Sequence, residues 1–329
     1  MTALRPPSRK ATAAGAAAPL ASAAFARAYV VTMRPYLLFV SGIAGLAGLA
    51  FAPRLPLGLT LGLAVVFFLS YGFGQALTDC FQTDTDTLSA PYRPLVRGRV
   101  RRRDVLLVSL AGLGASGVVV AHFSPAALGL AALATLGLVS YTPFKRRWWG
   151  GPWYNAWIVA VLFLIGVVSG LRGEALRWIP ALVATLAAVF FGYANFVLTG
   201  YFKDIAADRA TDYRTLPVVF GRRRAALVSD VLAALQLVAG GAALAPAYRA
   251  VALPFAVAGA AFAIAAQVRL HAVRSDAEAH RAITPVVHAF ILLLAAIATA
   301  QRPAWAPVLA GFYAAFVLVL RARPMPEQV

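Results

Sequence analysis

The chain is poor in acid. Only 12 of its 329 residues are Asp or Glu, against 30 Lys and Arg. Charged residues amount to 13% and hydrophobic ones to 61%, whereas an average soluble domain is about 25% charged and about 45–50% apolar. That balance excludes an ordinary soluble domain. Cysteine is nearly absent: Cys80 stands alone, so no intrachain disulfide can form, and the residue reads as a small packing group. No stretch shows the strict apolar/polar alternation of a half-buried strand. Nor do the first residues show a cleavable leader with an obvious cut site. Residues 1–24 are Ala-rich with Pro and a few basic residues and read as a disordered tail. The functional domain is expected over 25–329.

What the chain has instead is long apolar runs, in keeping with a mean hydropathy of +0.76. Runs of roughly 20 apolar residues read as membrane-spanning helices. Ten occur, near 36–53, 57–79, 104–122, 125–142, 153–171, 179–201, 225–245, 249–269, 283–300 and 304–321, the last two divided only by Arg302-Pro303. The expected fold class is therefore all-α, a polytopic transmembrane bundle of nine or ten spans, nine if one run is re-entrant. A net charge of +18 would suggest nucleic acid in a soluble protein. Here its distribution points to the positive-inside rule. With the N-terminus inside, 25 Lys and Arg fall on that side and only five, Arg54, Arg172, Arg177, Arg249 and Arg302, on the other. Ten spans then place both termini in the cytoplasm. Gly42, Gly45 and Gly48 are read as points of close helix approach.

The scarce acid is concentrated. Thr78–Gly98 reads TDCFQTDTDTLSAPYRPLVRG and holds Asp79, Asp84 and Asp86; Tyr201–Arg224 reads YFKDIAADRATDYRTLPVVFGRRR and holds Asp204, Asp208 and Asp212. These are six of the 12 acidic residues. Four spans separate the segments, so both lie on the same, cytoplasmic face. Tyr92-Arg93, Leu95, Gly98 and Arg101–Arg103 are echoed by Tyr213-Arg214, Leu216, Gly221 and Arg222–Arg224, a weak internal repeat. One such cluster is explained by a solvated helix end. Two clusters matched in context on one face ask for more.

If the helices run on through both segments, Asp79, Gln82 and Asp86 fall within roughly 60° of one another and Asp84 points away; Asp204, Asp208 and Asp212 share a face of about 80°. Stacked carboxylates repel and raise one another's pKa unless a cation lies between them. Oxygen ligands without nearby Cys or His favour a hard cation, and Mg²⁺ takes one or two carboxylates together with water and phosphate oxygens. Asp79, Gln82, Asp86, Asp204 and Asp208 are the candidate metal ligands. Arg93, Lys145, Lys203 and Arg214 lie within reach of a bound diphosphate. Arg101–Arg103 and Arg222–Arg224 are accounted for by topology, but Lys203 abuts Asp204 at the end of an apolar span. Acidic stacks, a divalent metal and flanking Lys and Arg describe a diphosphate cradle.

These residues resemble the UbiA family of intramembrane prenyltransferases. Its first motif is written N-D/Q-x-x-D-x-x-x-D, then P-x-R-P and a Gly; DTLSAPYRPLVRG from Asp86 matches the downstream part. Its second, D-x-x-x-D followed by a run like R-T-L-P-V-x-x-G, matches Asp204 to Gly221. Arg34-Pro35 and YTPFK, Tyr141 to Lys145, stand where the family has similar segments, so the likeness runs from 34 to about 224. The chain departs from the pattern at three places. Thr78 stands for the leading Asn, Gln82 for the middle Asp, and Gly200 for an Asn near the second motif. With a neutral Gln82, the first cluster is expected to hold metal more weakly or differently. A tenth span also exceeds the usual nine.

The resemblance implies a helical bundle around a central cavity, cytoplasmic loops that cap a diphosphate, and an apolar tunnel for the isoprenoid tail. It implies Mg²⁺-dependent transfer of an isoprenyl group from an allylic prenyl diphosphate to a lipophilic acceptor, of aromatic or quinone-precursor type. Asp86, Asp204, Asp208 and Lys203 would serve the ionisation. Tyr141 would face the allyl cation, with Tyr193 and Tyr201 as alternatives, and Asn195 would orient an acceptor or make a helix–helix hydrogen bond. No histidine is assigned a role, and no nucleic acid or obligate protein partner is expected, only membrane lipid. Two rival readings use the same residues. In a membrane terpene cyclase the cation attacks its own chain. In a transporter the acids would be expected at mid-bilayer depth, whereas here they lie at helix ends.

Overall fold

The computed structural model describes residues 17–323 except residue 248. Among these residues thirteen α-helices follow one another: α1 Ala23–Met33, α2 Leu38–Leu49, α3 Leu57–Asp79, α4 Thr83–Ser89, α5 Arg102–Phe123, α6 Pro125–Lys145, α7 Gly151–Leu171, α8 Pro180–Gly200, α9 Ile205–Ala210, α10 Leu216–Leu244, α11 Leu253–Ala272, α12 His280–Gln301 and α13 Ala306–Arg321. No strand occurs among the described residues, only an isolated bridge between Arg147 and Arg214. Among the described residues nine helical segments are long and apolar enough to cross a membrane, and a tenth forms if α1 and Pro35–Leu49, bent by 48°, count as one span. The chain is a multi-pass integral membrane protein. Most of the expected tail, residues 1–16, lies outside the described residues. Its end does not: Ser22 caps α1 by accepting the Phe25 N–H at 3.1 Å, so the first helix begins at Ala23.

The first span is where sequence and structure differ most. α2 has 12 residues, about 18 Å of helix, too short for the roughly 30 Å hydrocarbon core. Arg34, in a left-handed conformation at φ 53°, separates it from α1. The seventh span also starts early. α10 begins at Leu216, with Pro217 in its first turn, and is broken at Gly221, whose φ is +79°. That conformation favours glycine.

α12 is the axis of the bundle. Of its most apolar stretch, 94% is buried inside the protein, against 22% for α3, α5, α6 and α11. A helix apolar all round belongs inside, while the outer helices turn Leu and Val to lipid. Val118, Leu136, Val238 and Val268 are examples of that exposed belt. α2 and α7 cross closely enough to require glycine: a Cβ on Gly48 would lie 2.0 Å from the Phe163 carbonyl oxygen, and one on Gly166 2.2 Å from that of Gly45. Gly48 and the Gly45 backbone are thus close-approach points as expected, while a Cβ on Gly42 or Gly45 would itself meet phenylalanine rings.

Candidate active site

The two aspartate segments are not continuous helices. α3 ends at Asp79, Cys80 and Phe81 turn, and Gln82, at φ −124°, stands ahead of α4. On the other side α8 tightens into a 3-10 turn over Tyr201–Lys203, Asp204 follows, and α9 starts at Ile205. Each long helix therefore ends in a break and a short helix. The expected helical phase is lost after Asp79 in the first segment, whereas in the second Asp204 and Asp208 stay one turn apart and the phase ends with α9 at Ala210. The two short helices meet instead: Thr85 of α4 donates its hydroxyl to Asp208 of α9 at 3.3 Å. The aspartate segments face each other across one cavity.

That cavity is lined by Asp79, Gln82, Asp86 and Asp204, by Arg34, Arg93, Lys145 and Lys203, and by Tyr141, Tyr193 and Tyr201. Asp79 is held from three directions. Arg34 donates to its two oxygens at 3.0 and 3.2 Å, and Gln75, one turn earlier, to Oδ1 at 2.6 Å. One guanidinium nitrogen of Arg93 reaches Asp79 at 3.5 Å and also pairs with Asp86. Lys145, at the end of α6, donates to Gln82 Oε1 at 2.8 Å and lies 5.7 Å from the Tyr201 ring centroid. The Tyr141 and Tyr201 hydroxyls share a hydrogen bond of 2.8 Å.

The electrostatics differ between the walls. Burial raises the Asp86 carboxyl, and Arg93 opposes that shift. Burial works against the charge of Arg93, but Asp79 and Asp86 outweigh it and raise its pKa. The hydrogen-bond partners of the Asp208 carboxylate among the described residues are hydroxyls. It is fully buried and accepts from Thr85 and, at 3.1 Å, from Thr215. Burial pushes its carboxyl up to about 6 despite the pull of Lys145.

Among the described residues no three carboxylate, imidazole or thiol groups converge on one point. The oxygen donors that face the cavity are divided, Asp79, Gln82 and Asp86 on one wall and Asp204 on the other with Asp208 behind it, and the Arg93 guanidinium supplies positive charge between Asp79 and Asp86. Sparse carboxylates, a neutral carbonyl and nearby cationic groups suit Mg²⁺ that completes its shell with phosphate oxygens. A site for a bare, fully protein-ligated ion would look different.

Several sequence expectations change in detail. α9 stops at Ala210, so Asp212, at φ 59° and exposed, does not join a stack with Asp204 and Asp208. Arg214 is exposed, donates its backbone N–H to the Arg146 carbonyl at 3.0 Å, and does not line the cavity. Asp208 sits behind the cavity wall rather than on it. Asn195 accepts from Ser229 at 2.5 Å, the helix–helix hydrogen bond rather than a cavity contact. Arg34, Gln75 and Asn155, which lie outside the candidates named from sequence, also line the cavity. Lone polar groups inside apolar spans were the available signal for Gln75 and Asn155.

An apolar trough continues inward from the cavity. Tyr71, Gln75, Thr78, Asn155 and Tyr193 belong to both. Beyond them the walls are mostly apolar, Phe67, Val120, Leu138, Leu162 and Ile165 among them, with Ser70, Ser116 and Thr135 as the polar exceptions. Along α3 the lining runs from Thr78 to Val66, about 18 Å at 1.5 Å per residue.

Known proteins share the fold and part of the sequence. The digeranylgeranylglyceryl phosphate synthase of Thermococcus kodakarensis is 33% identical over 218 residues, 65% of this chain and 76% of that protein. A UbiA homologue from Aeropyrum pernix has the same fold at TM-score 0.68 and 21% identity, covering 79% of this chain and 96% of the other. The structure of a homologue from Archaeoglobus fulgidus bound to DMAPP and Mg²⁺ superposes at TM-score 0.63 and 20% identity, covering 83% and 98%. The model of the UbiA prenyltransferase family matches residues 37–294, and the chain belongs to that family.

Proposed function

We propose that this prenyltransferase moves an isoprenyl group from an allylic diphosphate to the hydroxyl of a lipid acceptor, and that it uses Mg²⁺ held between the two aspartate segments. The observation that carries the reading is the continuity of the charged cavity with the apolar trough. One end suits an anionic head and the other a greasy tail. An isoprene unit advances about 5 Å along four carbon–carbon bonds of about 1.5 Å, so a trough of about 18 Å suits three to four units. The name of the Thermococcus relative supports a geranylgeranyl donor and a glyceryl phosphate acceptor. That differs from the aromatic acceptor expected from sequence.

Asp79, Gln82 and Asp86 on one wall, Asp204 on the other and Asp208 just behind it would hold Mg²⁺. Bound Mg²⁺ would neutralise charge building on the leaving diphosphate. Lys145, Lys203 and Arg93 add fixed positive charge to the same cavity. The allylic carbon–oxygen bond breaks with its electron pair leaving on diphosphate. The acceptor oxygen then bonds to that carbon and its proton is released. Tyr141, Tyr193 and Tyr201 place aromatic faces around the cavity, where they shield a cation from water. The Archaeoglobus homologue, bound to DMAPP and Mg²⁺, supports the metal. The charge bias of 25 to five supports a cytoplasmic site.

The test is product analysis with purified protein, Mg²⁺, geranylgeranyl diphosphate and either a prenylated glyceryl phosphate or an aromatic acceptor. An ether product with the glyceryl phosphate, together with released diphosphate, is expected. A hydrocarbon formed without acceptor would instead indicate the cyclase. No diphosphate release from any prenyl donor would overturn the reading.

A further inference from the structure

α9 carries Asp208 on only six residues. A helix that short does not hold itself together in isolation, so something outside it fixes its position. Asp208 is tied to α4 and to Thr215, and the turn after α9 is closed by the Tyr213 N–H donating to the Asp208 carbonyl at 2.8 Å. These contacts hold the middle and the end. At the start, the first N–H groups of a helix have no intrahelical acceptor. One of them, on Ala206, donates to Asp276 Oδ2 at 2.8 Å. Asp276 lies 70 residues away, in the connection between α11 and α12.

The other oxygen of Asp276 pairs with Arg222. Arg222 also donates to the Phe202 carbonyl at 3.4 Å, in the turn leading into Asp204. The pair is largely sheltered, with side chains 29% exposed for Arg222 and 25% for Asp276. Arg222 follows Gly221, where positive φ breaks α10. The connection between α11 and α12 is therefore fastened to both ends of the break that precedes α9. Neither Asp276 nor Arg222 lines the charged cavity.

We propose that Asp276, braced by Arg222, is a positioning residue for the second aspartate segment: it anchors the first turn of α9 and through it the Asp208 carboxylate. This builds on the reading of Asp208 as a metal and diphosphate ligand, but the anchoring itself does not depend on that reading. A topological role for Arg222, the reading its basic neighbours invite, requires neither the pairing with Asp276 nor the bond to Phe202. Removing the anchor leaves the cavity lining intact and lets α9 shift. Misplacement of a reacting group by about 1 Å can cost about a hundredfold in rate; with Asp208 still held by two threonines, about tenfold is expected here.

The test uses the full chain in detergent, as Asp276→Ala and Asp276→Asn. Asn keeps an oxygen for the Ala206 N–H but loses the charge that holds Arg222, so its effects should fall between wild type and Ala. Hydrogen exchange of segment 204–210 should quicken at least about tenfold in Asp276→Ala, while segment 286–300 of α12 keeps its protection. Binding of inorganic pyrophosphate with Mg²⁺, followed by calorimetry, should weaken about tenfold. The same change in an Asp208→Asn background should weaken it no further, since the effect passes through Asp208. Arg224→Gln, in the same basic run, should bind as wild type does. Unchanged exchange at 204–210 overturns the anchor. Equal weakening in the Asp208→Asn background overturns the route through Asp208. If Asp208→Asn itself binds pyrophosphate normally, the ligand role of Asp208 fails, and the exchange result still decides the anchor. Should Asp276→Ala fail to fold, Asp276→Asn gives the same readouts at smaller amplitude, and unchanged exchange there overturns the anchor too.

Discussion

The first and second aspartate segments share a plan and differ in how they hold charge. Each is a long helix, a break, a short helix and a return through a proline. In the first, every aspartate has an arginine: Asp79 pairs with Arg34 at 3.0 Å, Asp86 with Arg93, and Asp84 with Arg146 at 2.5 Å. In the second, Asp208 is buried against two threonine hydroxyls. An arginine can exchange a carboxylate for phosphate when metal and substrate arrive. A dry, hydroxyl-bonded carboxylate has no such alternative and stays where it is. The first segment is thus the adjustable half of the cradle and the second its fixed half, secured from behind by Asp276.

Asp208→Asn gives the strongest test of that division. Asparagine keeps the size and an acceptor for a threonine, so the fold should survive while the negative charge is lost. Turnover, measured as diphosphate release, should fall at least about a hundredfold, or about 2.7 kcal/mol. Asp86→Asn should cost less, because Asp79 and Gln82 remain on its wall. Equal losses would break the comparison and make the two halves equivalent.

Arg93→Gln should act on stability rather than first on rate. Its guanidinium is 13% exposed, and its partners Asp79 and Asp86 are 3% and 6% exposed. Removing one member of a buried ion pair costs about 3–5 kcal/mol. A clear fall in Tm is expected without metal, largely recovered when Mg²⁺ and pyrophosphate are added. Thr215→Val, the corresponding cut in the second segment, should cost about 1 kcal/mol. If Mg²⁺ and pyrophosphate restore nothing to Arg93→Gln, the guanidinium is not standing in for a cation.

Much of this architecture was legible in the sequence because it rests on local composition. Long apolar runs found the spans, and the scarcity of acid made Asp79, Asp86 and Asp204 conspicuous. Lys145 and Lys203 followed from their place at helix ends. What failed was extrapolation of helical phase past Asp79 and Ala210, where the helices stop. That extrapolation put Asp212 on one face with Asp204 and Asp208. What could not be read was contact across long separations: Arg34 reaches Asp79 over 45 residues and Asp276 reaches Ala206 over 70. The early start of α10 was hidden because Arg222–Arg224 interrupt the apolar signal while the helix resumes after Gly221.

The pH response should also separate the halves. In the folded chain Asp208 keeps its proton up to about 6, against an ordinary value of 3.8. The folded state then binds more protons than the unfolded one between those values, so this group's contribution to stability is full below the ordinary value and declines as pH rises to about 6. Without Mg²⁺, Tm should carry a component that falls over that window by a few degrees. Asp208→Asn should lack it. Persistence of the component in that variant would assign it to another group, Asp86 being the first to examine because burial raises it too.

The smallest effect is expected at Asp84, and it sharpens what makes a charge matter in the first segment. Asp84 accepts from the Tyr213 hydroxyl at 3.1 Å and pairs with Arg146, so it links α4, the end of α6 and the turn after α9. Both members of that pair are 41% exposed, and exposed pairs contribute about 0.2–1 kcal/mol. Arg146 keeps a second hold in Asp84→Asn, because its guanidinium stacks 4.3 Å from the Tyr213 ring centroid. Asparagine also still accepts from the hydroxyl. Stability should therefore fall by about 0.5 kcal/mol and turnover stay within about twofold. Asp84→Ala should cost somewhat more, since the Tyr213 hydroxyl loses its acceptor. A loss in Asp84→Asn comparable to that of Asp86→Asn would mean that linkage between the segments, and not burial of the charge, governs the first half of the cradle.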